Sequence, residues 1–434
     1  MRIGFVSLPL PAHLNPMTAL GRKLKSRGHA VVFIGVPDAE SAVRTATLDF
    51  VPFCEKEYPP GEFDKQRGKA ATLHGLEVVR YTCRELMPGL LESALEHLPQ
   101  KIAETGAEAL ILDTGHSAIQ LVPMRLGIPY IHIWNGLNMD LSGSTPPTFF
   151  SWPPYEKTPE WEVAARKAEG MKFFHELVGP MVEVANSYVK KHGMQIDFSG
   201  PTATTAKAVI SQMPKEFDFP ISSWPPQFHY AGPFHDAEAR EQTPFPWEKL
   251  TGQPFLYASL GTVVNGLGNV YRTILQAVEP LAGIQLVLSA GNHIDLKELE
   301  PFPSNAIVVR KAPQIELLKR ALLSITHAGL NPALECLAQG VPMVAIPMGY
   351  DQPGVAARIA YHGVGEFVEL DELTVERLSE LIQMVRRQPG YREKARAFQN
   401  LIARRPGLEV AADVIEHALE ANRQAELATG RRAY

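Results

Sequence analysis

Between residues 312 and 352 the chain carries groups suited to holding a charged, hydroxylated ligand. They are Ala312 and Gln314, then His327, Gly329, Leu330, Asn331, Pro332 and Glu335, and finally Asp351 and Gln352. An apolar run ends at His327 and a helical pattern begins near Asn331. Such a helix start points backbone N–H groups out of a sheet edge, where the helix dipole favours an anion. A histidine there can donate to a phosphate oxygen, and Gly329 lets the backbone come close. Glu335, one turn on, can accept from ribose hydroxyls. Asp351 and Gln352 pair an acceptor with an amide, suited to vicinal sugar hydroxyls, at the carboxyl edge where ligands of α/β sheets bind. Taken singly, each residue has a plainer use: a core histidine, a solvated helix carboxylate, a loop cap. The functional reading rests on their joint spacing. Cys336 reads as a packing residue.

A second pair suits proton transfer. His13 follows the first strand in Leu10-Pro11-Ala12-His13-Leu14-Asn15-Pro16, and Asp113 closes another apolar run. An imidazole at a strand end can take a proton from a hydroxyl near neutral pH, with a carboxylate to orient it and stabilise its cation. From the residues alone, Asp113 could equally cap a helix starting near His116, or do both. His116 competes with it as the orienting partner.

These groups need a scaffold that brings strand ends together. Residues 3–8, 30–34, 109–112 and 130–133 read as strands, and residues 17–27 as a helix capped by Asn15, with Pro16 in its first turn and Gly28 ending it. The second half repeats the pattern, with strands expected at 254–259, 284–289, 306–309, 322–326 and 342–347. Strand–helix–strand order implies right-handed crossovers and parallel sheets. His13-Leu14-Asn15-Pro16 and Gly329-Leu330-Asn331-Pro332 are similar junctions, a weak internal repeat that suits two doubly wound domains. The expected division is an N-terminal doubly wound domain over 1–232, a linker over 233–250 rich in proline and charge, a second doubly wound domain over 251–405, and a helical segment over 406–434 that packs back on the first domain. Residues 138–192 read as an insertion of loops and helices shaping a pocket. Its aromatic residues Phe149, Phe150 and Trp152, with Trp134 and Asn135 at a strand end, could wall such a pocket.

Composition removes other classes. With 434 residues and 45% apolar content, the chain has material for two cores. A net charge of −5 disfavours nucleic acid as a partner. Cys54, Cys83 and Cys336 form no C-x-x-C pair, which disfavours a disulfide framework or a zinc site and suits a reducing cytoplasm. No apolar stretch reaches the length of about 20 residues needed for a membrane span, and the N-terminus does not read as a signal peptide. A dehydrogenase would need G-x-G-x-x-G after its first strand. Pro9-Leu10-Pro11-Ala12-His13 stands there instead.

The stretch from His327 through Gly329, Asn331 and Glu335 to Asp351-Gln352 resembles, without a gap, the donor-binding signature of the UDP-glycosyltransferases. These are the family 1 enzymes with two facing Rossmann-like domains, the GT-B fold. The resemblance extends over essentially the whole chain, through Pro-x-His-x-Asn-Pro near the N-terminus and the Ser259-Leu260-Gly261-Thr262 turn. It implies an inverting transfer of a sugar, most often glucose, from a UDP-sugar to the hydroxyl of a small lipophilic or phenolic acceptor. His13 and Asp113 would be catalytic, Gly261, Thr262 and the 312–352 residues would bind the donor in the 251–405 nucleotide-sugar-binding domain, and Trp134, Asn135, Phe149, Phe150 and Trp152 would bind the acceptor in the 1–232 acceptor-binding domain. Helix-start N–H groups, His327 and Thr262 would stabilise the leaving diphosphate, with no metal and no other cofactor. A same-fold transferase using a TDP-sugar, or a nucleotide-sugar epimerase, is the alternative. Two positions depart from the family pattern. Lys311 stands where a tryptophan often stacks on uracil, and Pro332 where plant members have a serine.

Overall fold

The computed structural model describes residues 1–140, 142–196, 205–221, 224–236, 238, 240 and 242–429. Short runs of β-branched and aliphatic residues, apolar on both faces, form two fully parallel sheets whose strands are buried between helices. The first contains β1 (Arg2–Val6), β2 (Ala30–Gly35), β3 (Asp49–Pro52), β4 (Ala109–Asp113), β5 (Tyr130–Trp134), β6 (Val209–Ser211) and β7 (Phe228–Tyr230), in the order β3-β2-β1-β4-β5-β6-β7. The second contains β8 (Phe255–Ser259), β9 (Gln285–Ser289), β10 (Ala306–Val309), β11 (Leu323–Thr326), β12 (Met343–Ala345) and β13 (Gly365–Phe367), in the order β10-β9-β8-β11-β12-β13.

Both sheets reverse their winding at one place. In the first sheet this is between β1 and β4, where Val6 pairs with Leu112. In the second it is between β8 and β11, where Ser259 pairs with Thr326. Crossovers leave in opposite directions at such a point, so a crevice opens beyond the carboxyl ends of the two strands. His13 and Asp113 follow the first reversal, and Gly261 and His327 the second.

The first helix, α1 (Pro11–Ser26), begins earlier than expected. Leu10 is its N-cap and Pro11 takes the first-turn position, so Asn15 and Pro16 lie inside the helix and do not open it. Pro16 has no N–H to give the carbonyl four residues back, which leaves the Ala12 oxygen without its helical donor. Among the described residues, 135–140 and 142–154 form a loop, a short 3-10 turn follows at Tyr155–Lys157, and residues Glu160–Lys191 form one 32-residue helix.

The domains are tied together at several points. Arg358, on the Gln352–Tyr361 helix, donates through Nε (2.9 Å) and a terminal nitrogen (2.7 Å) to Asp218 Oδ1, and both side chains are fully buried. Asp218 Oδ2 also accepts from the Tyr230 hydroxyl at 2.7 Å. The C-terminal helix Gly407–Thr429 returns to the first domain. Its Ala411, Ala412, Ile415 and Leu419 share a core with Leu14, Met17, Leu20 and Leu24 of α1. Arg27 binds Glu409, Asp413 and Glu416 along the same seam.

Candidate active site

The expected catalytic pair, His13 and Asp113, comes together at the end of the first sheet. His13 sits in the first turn of α1, and its Nδ1 lies 2.7 Å from Asp113 Oδ2. Asp113 is wholly buried and heavily solvated by the protein. Oδ2 also accepts from Ser7 Oγ (3.1 Å) and Leu8 N (3.2 Å), and Oδ1 accepts from Gly115 N at 3.0 Å as the cap of the following turn. Orientation and capping thus fall to one residue. Burial pushes the Asp113 carboxyl up, but the His13 charge and these hydrogen bonds outweigh it and hold the carboxyl at about 2. Burial pulls His13 down, and the charge and hydrogen bond of Asp113, with the charge of Asp351, raise it above 6.5. The competing His116 makes no such contact. Its Nε2 is buried without a partner, and burial lowers the ring to about 4. Ser7 was not anticipated, although a polar residue just past the end of β1 was a readable signal.

Across the cleft, the His327 imidazole lies between two glycines. A Cβ on Gly261 or on Gly329 would come within 2.6 Å of the ring, so only glycine permits this packing. Gly261 also has φ +79, which favours glycine. Burial lowers His327 to about 4, leaving it neutral and able to donate from one nitrogen. Gly329 is the N-cap of the Leu330–Ala338 helix, one residue or two before the expected start, with Leu330 buried, Asn331 in the first turn and Pro332 half-buried. Ala328 (φ 61) and Tyr350 (φ 57) hold left-handed backbone beside these turns, a conformation that costs a non-glycine residue about 1–2 kcal/mol. Tyr350 is pinned by a 3.0 Å hydrogen bond between its hydroxyl and that of Thr82.

Several donor-motif side chains reach protein partners. Asn331 Nδ2 donates to the Ala12 carbonyl at 2.6 Å, the oxygen that Pro16 leaves without a helical donor, and Asn331 Oδ1 accepts from Gln212 Nε2 at 2.8 Å. Gln212 also donates to the Asn135 carbonyl at 2.7 Å. Asp351 Oδ2 accepts from Leu137 N at 2.6 Å, and Gln352 Oε1 accepts from Met348 N and Gly349 N. Glu335, 3% exposed, accepts from Arg240 on Oε1 (2.5 Å) and from Gln314 Nε2 on Oε2 (2.6 Å). Gln314 Oε1 in turn accepts from the Tyr257 hydroxyl at 3.1 Å. Ala312 packs at the edge of the second domain's core, Thr262 is exposed, and Lys311 lies on the exposed loop after β10. Gln212 and Arg240 were not anticipated. They stand in a loop and a linker, where no periodicity marks a side chain's direction.

The expected acceptor residues separate. Phe150 stacks on Trp152 (4.1 Å between ring centroids), Phe149 and Phe150 pack edge-on against Phe173, and Arg166 lies over Trp152. These three aromatic residues are largely engaged with one another and with the Glu160–Lys191 helix. Trp134 is half-buried at the end of β5. Asn135 is 3% exposed, and both atoms of its amide lack a partner.

Two facing doubly wound domains, with a histidine–carboxylate pair at one switch point and a glycine-flanked helix start at the other, define a glycosyltransferase of the GT-B class. The chain belongs to the UDP-glucoronosyl and UDP-glucosyl transferase family, whose model matches residues 180–417. It is 26% identical to a zeaxanthin glucosyltransferase of Pantoea ananas over 95% of each chain. It is 28% identical to a demethyllactenocin mycarosyltransferase of Streptomyces fradiae, over 96% of this chain and 86% of that one. Among solved structures, the glycotransferase of kitacinnamycin shares the fold with a TM-score of 0.72 at 23% identity, covering 96% of this chain and 98% of the other. Among the described residues no helix is long and apolar enough to cross a membrane.

Proposed function

We propose that the protein transfers glucose from UDP-glucose to a hydroxyl of a small lipophilic or phenolic acceptor, with inversion at the anomeric carbon and without a metal ion. The observation that carries this reading is the 2.7 Å His13–Asp113 pair on the helix that Asn331 ties to the donor-side helix start. His13 Nδ1 is committed to Asp113, so Nε2 is the nitrogen left to take the acceptor proton. The acceptor oxygen then bonds to the anomeric carbon as the carbon–phosphate oxygen bond breaks, and the electron pair leaves on UDP. Attack opposite the leaving group inverts the centre. Backbone N–H groups at the start of the Leu330–Ala338 helix and the neutral His327 ring meet the charge growing on the diphosphate, which is why no metal is needed. Glu335 takes the ribose, and Asp351 and Gln352 the hexose hydroxyls.

The lipophilic acceptor is suggested by relatives such as the zeaxanthin enzyme. A thymidine nucleotide donor is the second reading, since a fold neighbour, VinC, was solved with dTDP (TM-score 0.67, 17% identity). The test is UDP release from UDP-glucose with a panel of phenolic, terpenoid, macrolide and carotenoid alcohols, run in chelator, with TDP-glucose in parallel. The anomeric configuration of the product is read by proton NMR. Turnover only with TDP-glucose, loss of turnover in chelator, or a retained configuration would each reject the corresponding part.

A further inference from the structure

The carboxylate assigned to ribose is already occupied. Glu335 has its side chain 4% exposed and uses both oxygens, one for Arg240 and one for Gln314. Arg240 belongs to the stretch between the domains and keeps a quarter of its side chain in solvent. A carboxylate has about four acceptor positions, so two remain free in number. The Glu335 side chain is nonetheless almost wholly removed from solvent, whereas the Arg240 side chain paired with it is partly exposed. A buried charge without a counter-ion is costly, and Arg240 supplies that counter-ion while the site is empty. The same stretch is anchored to the catalytic helix. Arg22 of α1 donates to Asp236 (2.8 Å) and to Glu238 (3.0 Å). His235, near enough to feel both Glu335 and Arg240, presents a buried Nε2 with no partner.

We propose that Arg240 is a gate on the ribose carboxylate: it pairs with Glu335 in the empty enzyme and must leave before a nucleotide's ribose hydroxyls can bind there. This rests on the assignment of Glu335 to ribose. The gate is a strap with two fastenings. Asp236 and Glu238 hold it to the helix that carries His13, and Arg240 holds it to the helix that carries the donor motif. Nucleotide entry therefore releases one fastening between the domains as it fills the site.

The test is calorimetric titration of the full-length enzyme with UDP and, separately, with uridine, for wild type, Arg240→Ala and Arg240→Gln. A gate predicts that Arg240→Ala binds both ligands tighter, by roughly tenfold, since one hydrogen bond to a charged group no longer has to be broken. Arg240→Gln, which keeps a donor without the charge, should fall between. Thermal melting of the empty variant should drop while UDP raises its melting point more than it raises that of wild type. Unchanged affinity for both ligands would overturn the gate. Weaker UDP binding with unchanged uridine binding would also overturn it, and would make Arg240 a diphosphate ligand. If wild type binds no UDP at all, or Glu335→Ala leaves uridine binding unchanged, the ribose assignment itself fails and the gate with it.

Discussion

Replacing Asp113 with asparagine removes one charge and one acceptor oxygen from the site. The amide has the same shape, but its NH2 cannot accept, so either the Leu8 or the Gly115 N–H loses its partner in the buried site. The carboxyl sits at about 2 against an ordinary 3.8, a gap that corresponds to about 2–3 kcal/mol in favour of the ionised form beside its partners. Much of that interaction is with His13, and the imidazolium formed during proton transfer would lose it. The turnover plateau should fall by about one to two orders of magnitude, at the low end of what a general base is worth. The pH profile gives a second, independent readout. In wild type the partner raises His13 above 6.5, so the acid limb of kcat/KM lies above that value. Burial pulls the ring down, and without the aspartate nothing of comparable size opposes it. The acid limb of Asp113→Asn should therefore move to lower pH while the plateau drops. UDP affinity should not change. The measurement is kcat/KM for an alcohol acceptor between pH 5 and 9. A plateau within twofold of wild type, or an acid limb that stays in place, would refute the assignment of Asp113.

Gly329→Ala puts a Cβ 2.6 Å from His327 Nε2 at an unstrained backbone position, so the ring must shift. Folding stability should fall by about 1–3 kcal/mol, the usual cost of overpacking, and UDP affinity should fall with the displaced ring, as seen by calorimetry, while far-UV circular dichroism stays unchanged. Asp218→Ala strands the buried Arg358 guanidinium. It should cost about 3–5 kcal/mol in a chemical-denaturation experiment, whereas replacing both partners with apolar residues should cost much less. Pro332→Ser adds a hydroxyl and an N–H at the helix start. UDP binding should tighten by about 1 kcal/mol if the diphosphate rests there, with a slight loss of melting temperature from the freer unfolded chain.

The switch points were legible because apolar runs end there in polar residues, at His13, Asp113, Thr262 and His327. The run patterns also located nine of the thirteen described strands to within a residue or two at most ends, but gave no range for the short strands β3, β6, β7 and β13. The start of α1 was misplaced because Pro16 looked like a first-turn proline, while Pro11, which fills that role, was hidden in a loop-like Pro-x-Pro. The side-chain directions of Asn331, Asp351 and Glu335 were not legible. Their partners, Ala12, Leu137 and Arg240, come from parts of the chain 319, 214 and 95 residues away, and a local pattern carries no information about so distant a contact unless both ends are periodic. The aromatic residues of the 138–192 insertion were read as a ligand wall. Phe149, Phe150 and Trp152 mostly face one another and Phe173, a contact that only the long Glu160–Lys191 helix makes available.

Pro16 gives the molecule a means of keying its two halves to each other. By removing one donor from α1 it creates a docking address, the Ala12 carbonyl, that the first domain's own helix cannot answer and Asn331 of the second domain does. Enzymes of this architecture invite recombination, in which one parent supplies the acceptor half and another the donor half. In such a hybrid the surface complementarity of the cleft is scrambled, but a single lacking hydrogen and a single amide survive as lock and key wherever both parents retain them. The gap in the helix is then one of several contacts that hold the halves in register, and a designer who mends it for the sake of stability would erase that address.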